Sequence, residues 1–132
     1  MELNHDCVRD TLLAIEKYVQ VEKVYEISDL YGTPELSKYE FPEVWYVLLT
    51  LFDAGFITTY KNERPGTFLN HRTVSNITGI TFKGHEYLDN IRDPKVWKET
   101  KHTVLKTVAS ASLSIFFSSC IKNSFKQVRL VT

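Results

Sequence analysis

The chain has 132 residues, 43% of them hydrophobic and 13% aromatic, which suffices for one packed domain with an appended element and excludes a chain that is disordered throughout. Sixteen basic and sixteen acidic side chains cancel, so the overall charge gives no argument for nucleic acid, an anionic membrane or an acidic partner. Cys7 and Cys120 stand far apart without Cys-x-x-Cys spacing, and the polar start of the chain lacks a secretory apolar stretch, so reduced thiols in a cytoplasm are expected rather than a disulfide scaffold.

Asn4 is placed to cap a first helix, with Val8, Leu12, Ile15 and Val19 as its buried stripe and Arg9, Asp10, Glu16 and Lys17 facing away. Residues 24–27 read as a short strand, and the Ser28-Asp29 pair as the cap of a short helix between residues 29 and 38, with Gly32 and Pro34 blurring its limits. Pro42 opens a very apolar third helix over residues 42–54, which Gly55 closes in the left-handed conformation. Residues 56–61 carry the aromatic and β-branched content of a strand, residues 62–66 a turn with Pro65-Gly66 at the centre of a type II geometry, and residues 67–80 an imperfect return strand. Thr81 then caps a helix whose apolar stripe is Gly84, Tyr87, Leu88 and Ile91, and Asp93-Pro94 starts another helix after an abrupt corner.

The expected fold is therefore α+β and mostly α: a winged helix over residues 1–92, with a three-helix core, a β-hairpin wing and a closing helix, then a long helical extension over residues 93–132. Three segments carry a family resemblance: Leu3-Asn4-His5-Asp6-Cys7-Val8-Arg9-Asp10, Asp53-Ala54-Gly55-Phe56-Ile57, and Gly84 through Asp93 to Trp97. Together they resemble the bacterial and phage family called domain of unknown function 2513, over about residues 2–105. Thr81-x-x-Gly84 after a wing also resembles the closing-helix signature of winged-helix proteins generally. The resemblance implies a cytoplasmic, phage- or prophage-borne winged-helix protein, and it implies no catalytic residue and no ligand.

A helix that reads a major groove presents Arg, Lys, Asn or Gln to base edges, and residues 42–54 contain none of these. The side chains expected to face outward are Glu43, Tyr46, Val47, Thr50 and Asp53, of which Tyr46, Val47 and Thr50 are candidates for a protein contact. Lys61, Arg64, His71 and Arg72 on or beside the wing are the candidate phosphate contacts.

Neither a metal site nor a nucleophile is expected. His85 and Glu86 are adjacent on a helix and point about 100° apart, whereas His85 and Asp89 share a face as a surface ion pair. Cys7 in a first helical turn reads as a structural thiol, since no oxyanion-hole signal accompanies it. No cofactor is expected.

From Lys101 onward every charge is basic, so residues 1–100 are net acidic. Val104, Val108, Ile115 and Phe116 belong to an apolar stretch interrupted by Lys106 and by Ser and Thr, too polar for stable membrane insertion. The extension is expected to pack on a second copy or on a protein partner, with disorder or loose attachment, or a membrane surface, as alternatives. The functional expectation is a non-enzymatic accessory or inhibitory factor acting through protein contact, most simply as a homo-oligomer. The alternative is a winged-helix DNA-binding transcriptional regulator of helix-turn-helix type, by analogy of fold.

Overall fold

A computed structural model describes residues 2–66, 68–69, 72–73 and 75–107, with side chains described over 2–66 and 75–103. Its elements run α1 (His5–Tyr18), β1 (Tyr25–Glu26), α2 (Ile27–Tyr31), α3 (Phe41–Asp53), β2 (Ile57–Thr58), β3 (Phe68–Leu69), β4 (Arg72–Thr73), β5 (Asn76–Ile77), β6 (Gly79–Ile80), α4 (Phe82–Ile91) and α5 (Pro94–Thr107). The fold is α+β and mostly helical, with small two-stranded antiparallel sheets. The described residues form two compact units, one over Asn4–His85 and one that joins residues 2–3 to those from Glu86 on.

In the first unit, Asn4 caps α1 as its sequence indicates: its side chain accepts the Cys7 N–H at 3.1 Å and donates to Glu43 at 2.7 Å, tying the start of α1 to α3. Val8, Leu12 and Ile15 are buried, and α1 packs against α2, α3 and β6. The second helix is shorter than its sequence suggests and starts earlier, at Ile27. Gly32 and Pro34 end it, because Pro34 cannot donate and disfavours helical backbone at Thr33. Residues 33–39 then descend in turns that bury Leu36, and the Tyr31 hydroxyl closes the loop on the Tyr39 carbonyl at 2.7 Å.

The buried stripe of α3 is Val44, Val47, Leu48 and Leu51, the i, i+3, i+4, i+7 spacing of one face. Val47 is thus core, not surface, which corrects its expected exposure. The helix is apolar almost all round, so its sequence leaves the direction of the buried face open. It ends in a Schellman motif: Phe56 N–H bonds to the Leu51 carbonyl at 2.9 Å, Gly55 N–H to that of Phe52 at 3.0 Å, and Gly55 sits at φ +79°.

The strand expected over residues 56–61 is cut to two residues. The ladder ends at Thr58, and Lys61 and Asn62 then adopt φ +57° and +55°, a left-handed pair that turns the chain aside. Ile57 pairs with Ile80 and Thr58 with Gly79, while β1 pairs with β5 through Tyr25 with Ile77 and Glu26 with Asn76. Further out, Phe68 faces Thr73 and Leu69 faces Arg72, so the hairpin reverses between Leu69 and Arg72 and not at Pro65-Gly66.

Thr81 starts α4 with its hydroxyl accepting the Gly84 N–H at 3.1 Å and its carbonyl accepting that of His85 at 2.9 Å. This start closes on the end of α3. The Thr81 hydroxyl donates to the Gly55 carbonyl at 2.5 Å, the Thr81 N–H to that of Phe56 at 3.0 Å, and the Lys83 ammonium to that of Ala54 at 3.3 Å. Three consecutive carbonyls, that of the α3 C-cap Ala54 and the two just beyond it, are thereby satisfied, with a cation at the negative end of the α3 dipole. Gly84 permits the approach, since a Cβ there would lie 2.2 Å from the Phe56 carbonyl oxygen.

In the second unit, Tyr87, Leu88 and Ile91 are fully buried, as the stripe requires. Asp93 caps α5 by accepting the Lys95 N–H at 2.7 Å, and Pro94 is its first residue. Trp97 is buried beyond the corner, with the Lys101 ammonium 5.7 Å from its ring centre. Asp89 takes Arg92 at 3.0 Å rather than His85, a correction set by reach: the guanidinium extends back one turn to the carboxylate.

Candidate functional site

Three elements meet around the outer side of α3. Phe41 opens the helix exposed, against the edge of Tyr31 (ring centres 5.2 Å) and beside Trp45 (5.9 Å). Tyr46, Leu49, Thr50 and Phe52 are half-buried, and Thr50 donates to the Tyr46 carbonyl at 2.9 Å. The solvent side of α3 is therefore aromatic and aliphatic, and it carries no cation.

The turn after the left-handed Lys61-Asn62 pair runs along this helix. Arg64 grips Asp53 with two parallel bonds, Nε to Oδ1 at 2.9 Å and Nη2 to Oδ2 at 3.0 Å. Two residues on, Gly66 at φ +84° comes so near Trp45 that a Cβ would lie 3.2 Å from the indole. Trp45, Leu49 and Asp53 are spaced i, i+4, i+8 on one line of the helix. The turn is thus fastened at both ends of that line.

This fastening changes the standing of the candidate cations. The Arg64 guanidinium holds the Asp53 carboxyl below the usual carboxylate range, and its own charge is locally balanced. Lys61 is exposed, its ammonium 5.5 Å from the Tyr60 ring centre. Arg72 lies on β4 by its backbone, but its side chain and His71 lie outside the described residues, as do the Val104 side chain, Val108, Ile115 and Phe116. Of the expected protein contacts, Tyr46 and Thr50 share the open side of α3, and Val47 does not.

The residues nearest to reactive chemistry stay protonated at neutral pH. The Tyr39 hydroxyl donates to Asp10 at 2.6 Å, and Lys38 bonds the same oxygen at 3.1 Å. Burial first, and the Asp10 carboxylate second, push the Tyr39 phenol upward. Cys7 is fully buried with its sulfur 3.9 Å from the Thr11 hydroxyl, and burial pushes its thiol up to about 11, outweighing any lowering from its place in a first turn. Among the described residues no group of three or more His, Cys, Asp or Glu side chains gathers to hold a metal, and no helix is long and apolar enough to cross a membrane.

Cys7 should therefore resist an aromatic disulfide reagent in the folded protein and react once denaturant is added. Because the folded thiol lies above its ordinary value of 9.0, the folded state holds the proton more tightly than the unfolded chain. That contribution is whole below pH 9 and is lost as pH climbs through about 11. Cys7→Ser should remove this alkaline loss, measured as denaturation midpoints between pH 8 and 11. In a Cys120→Ser chain, where Cys7 is the remaining thiol, rapid labelling without denaturant would contradict the burial.

The family model described as Hypothetical protein (DUF2513) matches residues 2–111. The chain belongs to the DUF2513 family. No curated protein and no solved structure matches it. In this DUF2513 protein the 53–57 segment and the residues around Gly84, both within the match, form one contact: the end of α3 closed by the start of α4. Sequence reasoning did not find this contact, nor the fastening of Arg64 and Gly66 to α3. The signal for the second was present in part, since Pro65-Gly66 demands a turn and Arg64 and Asp53 are opposite charges. What placed them together was the left-handed break at Lys61-Asn62, which Lys61 gives no reason to expect.

Proposed function

We propose that this DUF2513 protein is a non-enzymatic winged-helix factor that works in the cytoplasm by binding another protein, a second copy of itself included, in the accessory or inhibitory manner of phage and prophage proteins. The observation that carries the reading is the outer side of α3. It offers no Arg, Lys, Asn or Gln to base edges, and the line Trp45–Leu49–Asp53 runs under the protein's own turn. A cation-free helix also forgoes the counterion release that drives DNA affinity. Half-buried aromatic side chains with few charges suit a protein contact.

Light scattering on the full chain tests the reading, with more than one copy per particle as the expected result. A DNA titration at physiological salt is its counterpart. Binding should be weak and lost when Lys61, Arg64 and Arg72 are all replaced by alanine, while Thr50→Ala changes nothing. Nanomolar, sequence-specific DNA binding that disappears with Tyr46→Ala or Thr50→Ala would replace this reading with that of a transcriptional regulator.

A further inference from the structure

The stretch from α2 through α3 is unusually acidic. Between Ile27 and Ala54 it holds Asp29, Glu35, Glu40, Glu43 and Asp53 against the single cation Lys38. The Lys38 ammonium is already held by Asp10 of α1 at 3.1 Å, and Arg64, the cation the wing brings here, by Asp53. Glu35 is paired with Lys17 at 3.1 Å and Glu43 accepts from Asn4 at 2.7 Å. Asp29 and Glu40 remain exposed, and Glu40 is followed by the exposed Phe41, which lies against Tyr31 of α2 and beside the half-buried Trp45. Between them α2 and α3 expose carboxylates and aromatic side chains, and the complement of both is a segment that is apolar and basic.

The chain contains such a segment. Its last 25 residues, 108–132, carry Lys122, Lys126 and Arg129 with no carboxylate side chain, together with Val108, Leu113, Ile115, Phe116, Phe117 and Ile121. A 13-residue helix such as α3 is about 20 Å long, and 25 residues reach up to about 80 Å when extended. We propose that the basic C-terminal segment of a second copy docks on the surface where α2 and α3 expose Asp29, Glu40 and Phe41, each copy giving its segment to the other. This rests on the self-association named above and supplies the surfaces that perform it.

Sedimentation of the full chain at low and high salt, with two charge reversals, tests the proposal. One variant carries Lys122→Glu, Lys126→Glu and Arg129→Glu; the other carries Asp29→Lys and Glu40→Lys. Each alone should weaken self-association at least tenfold at low salt, and the wild-type association should weaken as salt rises. An equimolar mixture of the two variants should restore association, because each variant then meets a surface of opposite charge. Circular dichroism checks that both remain folded. A mixture that stays monomeric overturns the docking. Self-association indifferent to both reversals also overturns it and leaves the reading of a self-associating protein standing, whereas a chain monomeric at every salt removes both. Tail-dependent binding of a monomer to phosphatidylserine vesicles would assign the segment to a membrane surface and likewise overturn the docking.

Discussion

Gly84→Ala is expected to destabilise the protein by about 3 kcal/mol, the upper range for overpacking, and to lower Tm by roughly 10 °C. Intrinsic propensity points the other way, since alanine in a helix is favoured over glycine by about 1 kcal/mol. Sterics win here. The added methyl carbon would stand 2.2 Å from the Phe56 carbonyl oxygen and 2.5 Å from a methyl of Ile80. The Phe56 carbonyl is backbone, fixed by the Schellman bond on its own N–H and by the Thr81 N–H on its oxygen. It can move only if the junction between α3 and α4 opens. Thermal unfolding followed by circular dichroism decides the matter, and a neutral or stabilising Gly84→Ala would mean that the helix start does not lie so close.

Leu88→Ala is expected to cost about 2–5 kcal/mol, because Leu88 is fully buried and truncation leaves a cavity as well as losing apolar transfer energy. Exposed Glu86, two residues earlier on the same helix, provides the control, and Glu86→Ala should stay within about 0.5 kcal/mol of the wild type. Urea midpoints with unchanged slopes would show that both substitutions act on stability alone. Equal midpoints for Leu88→Ala and the wild type would show that α4 turns another face inward.

The two substitutions bracket what a sequence can convey. Leu88 was legible: Tyr87, Leu88 and Ile91 fall on one helical stripe, and burial follows periodicity. The caps at Asn4, Thr81 and Asp93 were legible too, because a cap is a local event between a short polar side chain and an amide two or three residues on. Gly84 was legible only as a member of that stripe. Its neighbour is a backbone carbonyl 28 residues earlier, and a single chain carries no local mark of such a contact.

Val47 fails for a different reason. Where nearly every position of a helix is apolar, periodicity has no contrast, so the burial of Val47 and the half-exposure of Trp45 had to come from tertiary packing. The candidate site shares this limit. Composition shows that α3 lacks cations, but the turn lying along it depends on two consecutive left-handed residues, Lys61 and Asn62, only one of which is of a type that favours that conformation.

The closure of α3 by α4 also bears on how the chain is made. During synthesis the α3 sequence leaves the ribosome well before Thr81 and Lys83, and until those residues emerge the carbonyls of Ala54, Gly55 and Phe56 have water as their partner. A nascent chain stalled near residue 80 would hold all of α1 to β6 and still lack the groups that seal its third helix. The first unit is therefore expected to become resistant to protease on the ribosome only after the start of α4 has cleared the exit tunnel, so that the hairpin in between serves as the timer of its folding.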